Sequence, residues 1–231
     1  MKYYRPIKSN WLVQGFGENK ACVATDTSGK AIQPYKVLSG IYPNSCPVNS
    51  TKLYPLLGLK GHNGYDLASW KGEPVYHSGD FSGWLHSEID MGGGIGVDIV
   101  SKVPLKECTE GCPVGTMHYI KLRNWHLWEV VGFDKKELKP GDLIGYADST
   151  GISSGDHVHF GPKWCNENGS AVHNDNGYFG AFDPGTDYEN VFILDVLVVK
   201  QRALTAIELA RKVIFEVVKW LSAKVGNLQK K

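Results

Sequence analysis

The shortness of the apolar runs limits this chain's fold more than any other feature of its sequence. Through residues 1–160, glycine, proline, asparagine and aspartate recur at close intervals. The stretches between them are brief and often alternating: WLVQGF at 11–16, GVDIVS at 96–101, HYIKLR at 118–123, DLIGYA at 142–147 and HVHF at 157–160. An amphipathic helix needs apolar residues every three or four positions over a long window. Alternation over a few residues, bounded by turn formers, is the pattern of strands. The 27 glycines suit a chain with many tight turns. Residues 1–187 are therefore expected to form a mostly β domain. No internal repeat and no low-complexity segment interrupts it.

Beyond residue 187 the period changes. Apolar residues fall at 203/204, 206/207, 210, 213/214, 217/218, 221 and 225, a spacing of three and four. This predicts an amphipathic helix over about 203–225 within a C-terminal extension, 188–231. Glu208 and Lys212 form an i,i+4 pair, and Gly226 is the expected stop. The preceding NVFILDVLVVK, 190–200, fits either a strand or an earlier start to the helix. The helix packs on its own domain, or it serves self-association or partner contact, or it lies on a membrane surface, which its mixed charges disfavour; the first two readings stay open.

Charge argues against some partners. Lys and Arg number 25 against 24 Asp and Glu, with no long basic block, so nothing predicts nucleic-acid binding. No stretch of about 18 apolar residues predicts a membrane span. The N-terminal MKYYRPIKSNWLVQGFG lacks the apolar centre of a secretory signal, so a chain acting outside the cytoplasm would need another route there. The five cysteines are Cys22, Cys46, Cys108, Cys112 and Cys165. The odd count leaves at least one unpaired within the chain, and spacing alone does not settle whether the rest pair. Cys22 and Cys46 bracket one loop-like stretch, and Cys108 and Cys112 flank a turn-like TEG.

The chemistry-bearing residues sit in GHNGYDLAS and GDHVHFG. In a strand, His157 and His159 point to one face, about 7 Å apart along the chain. His62 and Asp66 are N and O donors competent for zinc. On a straight strand they would stand about 13 Å apart, so the chain is expected to bend between them, with Gly64 allowing it. His62, Asp66 and His159 make three protein ligands and leave a fourth position for solvent, the arrangement of catalytic rather than structural zinc. NWHLWEV, 124–130, supplies His126 in an aromatic setting, where a lone histidine is as readily a packing residue. No His-Glu-x-x-His helix offers a glutamate base.

In order, HNGYD at 62–66, NWHL at 124–127 and HVHF at 157–160 resemble the motifs of the lysostaphin-type zinc metallopeptidases, which cut peptide cross-links of bacterial cell walls. KPGDLIGYADSTG at 139–151, EPVYHSGDFSGWL at 73–85 and WLVQGFG at 11–17 resemble connecting segments of the same family. The likeness covers about residues 11–187. It implies an antiparallel β-sheet peptidase domain with a groove and one Zn2+ per chain held by His62, Asp66 and His159. His126 and His157 would be the uncoordinated catalytic pair, and the implied substrate is peptidoglycan peptide outside the cytoplasm. Departures are the long connection 18–60, the elaborated loop 101–116, Asp156 where proline is common, and the C-terminal helix. A non-catalytic relative that binds cell wall or activates another wall hydrolase is the second reading. A zinc D-Ala-D-Ala peptidase is the third, disfavoured by the close spacing of His62 and Asp66. His77, His86, His118 and His173 lie outside the motifs and are expected to be structural, with His118 open to a supporting role near the site. Tyr65, Trp84, Trp125 and Trp128 are expected either to line the groove or to pack in the core.

Overall fold

The structure, a computed structural model, describes residues 1–107, 113 and 115–228, with side chains as far as 218. Cys108 and Cys112 lie outside the described residues. The chain divides into two units, Met1–Ile193 and Leu194–Lys231.

The first unit is organised by one antiparallel sheet. Its middle strands run Gly83–Asp90, Gly94–Ser101, Met117–Val130, His157–Cys165 and Tyr65–Ala68, in that spatial order. Glu137–Leu138 closes one edge and Leu12–Gln14 the other. Side-chain alternation gives the sheet two different faces. One face carries Leu67, Leu85, Val97, Ile99, Leu122, Val158 and Phe160, all essentially inaccessible to solvent, packed with Tyr3, Ile7, Val75, Phe81 and Ile144 into the main core. Each such side chain contributes roughly 1.5–3 kcal/mol on burial. The opposite face carries Asp66, Asp98, Arg123, Trp125, His157 and His159, so charge and imidazole are gathered on one side by alternation alone.

Segment 18–60, expected as a loop, is a small structure with its own core. Cys22–Ala24 pairs antiparallel with Ser50–Lys52, and a short helix Leu53–Leu56 follows. Val23, Leu53, Tyr54 and Leu59 form a second apolar cluster. Cys22 and Cys46 are joined by a disulfide, and Cys165 is a buried free thiol.

The ambiguous 190–200 segment is divided. Tyr188–Phe192 is a strand, paired parallel with Tyr3–Arg5 at the N-terminus. The helix begins at once after it and runs Ile193–Leu228. It therefore starts ten residues before the clear periodicity and passes through Gly226, which was expected to end it. An interior glycine costs a helix only about 1 kcal/mol relative to alanine, too little to stop one that long. Among the described residues no helix is long and apolar enough to cross a membrane.

Candidate metal centre

The strand His157–Cys165 lies between Tyr65–Ala68 and Met117–Val130, and its register places His159 opposite both Asp66 and Trp125. Asp66 and His159 are thus direct cross-strand neighbours on the polar face. His62 reaches them from the loop before the strand. Its Nε2 lies 2.9 Å from His159 Nδ1 and 3.0 Å from Asp66 Oδ1, and His159 Nδ1 lies 3.1 Å from Asp66 Oδ1. Among the described residues these three form the group of three or more donors that could hold a metal ion.

The donor triangle suits zinc. Ligand distances of about 2.0–2.1 Å in a tetrahedron give donor–donor edges of about 3.3 Å, a few tenths of an ångström beyond those found here. The donor set of two imidazoles and one carboxylate leaves a fourth corner for solvent or substrate. The other nitrogen of His62, Nδ1, lies 3.2 Å from the Gly15 carbonyl, which fixes the ring so that Nε2 faces the centre. Tyr54 of the inserted segment packs against the His62 ring and its hydroxyl accepts from Gln14 Nε2 at 2.7 Å. The insertion therefore buttresses a ligand.

The bend between His62 and Asp66 is made by close packing rather than by a special torsion. Gly64 does not have a positive φ. A Cβ there would lie 2.7 Å from Cε1 and Nε2 of His159 and from the Phe160 carbonyl oxygen. Across from it, a Cβ on Gly161 would lie 3.0 Å from the Gly64 Cα. Two facing glycines let the chain pass over the strand closely enough for His62 to meet its partners, so Gly64 supplies space where the sequence suggested flexibility.

His126 joins the site through a backbone irregularity. Alternation would turn it to the core, since Trp125 takes the polar face. Instead the pairing with Gly94–Ser101 shifts register between Asn124 and Leu127, and His126 has φ 65°. Such a bulge re-aims a side chain. Its amide donates to the Gly93 carbonyl at 3.0 Å, and its ring lies with centroid 4.4 Å from that of His157. Nδ1 of His126 donates to the Thr150 carbonyl at 2.6 Å, and Nδ1 of His157 to that of Gly155 at 2.8 Å. Both rings therefore carry their proton on Nδ1 and keep Nε2 for the site; His157 Nε2 is 3.7 Å from Asp66 Oδ1.

Burial shapes the protonation of these groups. It pushes His126 down to about 3, assisted by the neighbouring His157 and His159, and pushes His159 down to about 4 against the pull of Asp66. Burial alone would raise Asp66, but His62, His157 and the hydrogen bond from His159 outweigh it and hold the carboxyl well below its usual range. A neutral His159 imidazole beside the Asp66 carboxylate is the state of these two groups that a divalent cation requires.

A second polar cluster, not foreseen from the sequence, adjoins the centre. Buried Asp98 accepts from Arg123 Nε at 3.1 Å, from Trp125 Nε1 at 3.3 Å and from Lys121 Nζ at 2.6 Å. Despite burial, Arg123 and Lys121 hold its carboxyl far below the usual range. Trp125 is fixed by this carboxylate and by the cation of Arg123, 4.4 Å from its ring. Gly93 makes room for it, since a Cβ there would overlap the indole. Trp125 is thus a buried support, whereas Trp128 is half exposed and Trp84 borders on exposed. Tyr65 donates its hydroxyl to Asp183 Oδ1 at 2.8 Å. His77 is wholly buried and bound to the Phe81 carbonyl, as a structural histidine should be.

Comparison of the sequence with protein-family models and with curated proteins gives no match. Solved structures do resemble it. A zinc-containing peptidase from Vibrio cholerae superposes with TM-score 0.43 and 18% identity over 71% of this chain, which spans 37% of that structure's length. The catalytic domain of the antimicrobial peptidase lysostaphin from Staphylococcus simulans gives 0.39 and 23% over 54% of this chain and 77% of that one. The SpoIIQ–SpoIIIAH pore-forming complex gives 0.40 and 20%, covering 78% and 92%. The likeness is distant. With these scores below 0.5, the chemistry has to be read from the site's own side chains.

Proposed function

We propose that this protein is a zinc-dependent endopeptidase that hydrolyses peptide cross-links of bacterial peptidoglycan. The observation that carries the reading is the meeting of five side chains from three separated motifs. His62, Asp66 and His159 converge within 3.1 Å of one another, and His126 and His157 stand beside them with Nδ1 bound to carbonyls. A structural metal site has no use for two further imidazoles oriented in this way.

In this reading His62 Nε2, Asp66 Oδ1 and His159 Nδ1 hold the ion. Zinc, when bound, supplies Lewis acidity to the attacked carbonyl and the attacking water. The chain's own residues do the remaining work. Nε2 of His126 and of His157 are the groups placed to take a proton from the water, to steady the developing oxyanion and to protonate the leaving amine. Their carbonyl partners keep both rings from turning, so that neither must be reorganised during the reaction. The choice of peptidoglycan rests on the three motifs HNGYD, NWHL and HVHF and their resemblance to wall-cutting peptidases. It places the protein's work outside the cytoplasm.

The test is a digest of purified peptidoglycan by the zinc-loaded protein, with mass analysis of the fragments. New amino termini at cross-bridge or stem peptide bonds are expected, with loss on chelation and return on adding zinc. Wall binding with zinc present but no bond cut would favour a non-catalytic wall-binding or activating role. Cleavage of free D-Ala-D-Ala ends alone would favour the D-Ala-D-Ala peptidase reading.

A further inference from the structure

Two histidines outside the centre meet each other. His118 lies at the start of the long strand Met117–Val130, and His173 lies in the loop before a short 3-10 turn, Asn174–Asn176. Fifty-five positions apart in sequence, they bring Nε2 to within 3.1 Å of Nε2, with rings nearly perpendicular at 78° and centroids 5.0 Å apart. His118 sits seven residues along the strand from Trp125, roughly 23 Å at about 3.3 Å per residue, so the pair is separate from the centre described above.

We propose that His118 and His173 form a second metal site, a two-imidazole seat for a late first-row divalent ion such as Zn2+. The first support is the convergence of the two Nε2 atoms. Their 3.1 Å separation matches the 2.9–3.1 Å edges of the donor triangle at the first centre and is close to the edge of about 3.3 Å that two imidazole ligands of one ion require. The second support is backbone strain. Among the described residues, five besides glycine have positive φ; His126 at 65° and His173 at 55° are two of them. A residue outside glycine held in this region costs on the order of 1 kcal/mol or more, and such strain collects where a side chain must be aimed. In His126 the ring meets that of His157, and in His173 that of His118. The third support is the packing of Trp164 against His118, with centroids 5.9 Å apart, which limits that ring's rotation. Imidazole donors favour zinc, copper and nickel over magnesium and calcium. Among the described residues the pair offers two donors against three at the first centre, so the site is the weaker of the two.

The test is a zinc titration of the full chain by calorimetry with elemental analysis, comparing wild type, His118→Gln, His173→Gln and Asp66→Ala. Wild type should take up two ions in separate phases. Each glutamine variant should lose the weaker phase and keep the tighter one, and Asp66→Ala should do the reverse. Identical zinc uptake by wild type and both glutamine variants would overturn the second site. Absence of the tight phase in wild type, with the weaker phase still sensitive to His118, would instead count against the peptidase reading alone. Circular dichroism of the glutamine variants, matched to wild type, shows that a lost phase is not a lost fold.

Discussion

The imidazoles of His126 and His157 stand 4.4 Å apart, centroid to centroid, and each donates Nδ1–H to a backbone carbonyl, that of Thr150 and that of Gly155. Neither ring is part of the donor triangle. His126→Ala and His157→Ala should therefore keep zinc while peptide hydrolysis falls by about 10²–10⁴-fold, the usual worth of a positioned proton-transfer group. His159→Ala should lose hydrolysis and the ion of this centre. Metal content by elemental analysis, paired with fragment release from cell walls, checks the split; normal hydrolysis by His157→Ala would remove that residue from the chemistry.

Gly64 offers a test of how tightly the centre is packed. A methyl group there would press on the His159 ring and on the Phe160 carbonyl at 2.7 Å. Since the ring must move for the methyl to fit, Gly64→Ala should weaken zinc binding by about 10–100-fold, the range seen when a ligand's support is disturbed. Competition against a chromophoric chelator measures it. Unchanged affinity would mean that the loop, and not the ligand, gives way.

Asp98 is the buried anion among Lys121, Arg123 and the Trp125 indole. Removing one member of a buried ion network leaves the others unpaired, which costs about 3–5 kcal/mol. Asp98→Ala should lower the urea midpoint accordingly, in the metal-free protein as in the loaded one. A change under 1 kcal/mol would show that water reaches these cations.

His77 gives the pH dependence a source apart from the metal ligands. Burial pushes it down to about 4, so in the fold it stays neutral where the unfolded chain, with an ordinary value near 6.5, takes up a proton. The unfolded state then binds more protons between these values, and stability falls as pH drops from about 6.5 toward 4. The loss is on the order of 2–3 kcal/mol. His77→Gln, which can still donate to the Phe81 carbonyl, should flatten the decline in urea midpoint between pH 7 and 4.5. An equal decline in the variant would place the acid sensitivity elsewhere.

How much of this was legible in the sequence depended on the range over which each signal acts. The alternation in GVDIVS and HVHF foretold the strands Gly94–Ser101 and His157–Cys165 and the shared face of His157 and His159, because period two is a local property. The mostly β architecture with a C-terminal helix followed from the change of period. His126 shows the limit of alternation: the NWHL motif named it for the site by resemblance, but alternation would assign it to the core, and the bulge, set by contacts to Gly93 and Thr150, is what turns it to the site. The STG run containing Thr150 was visible as a motif, but its carbonyl's grip on His126 was not. The Asp98–Arg123 network joins residues 25 apart through strand register, and nothing in spacing announced it. The small core of segment 18–60 was hidden for a like reason, since Val23 and Leu53 meet only once the chain has closed.

The most direct measurement is anomalous scattering at the zinc edge from crystals of the protein grown with zinc, beside the same experiment on Asp66→Ala. A strong peak is predicted within about 2.0–2.2 Å of His62 Nε2, Asp66 Oδ1 and His159 Nδ1, with no fourth side chain bound there and no peak at that position in the variant. A map without density between those three atoms, or with a protein side chain closing the fourth corner, would contradict the account.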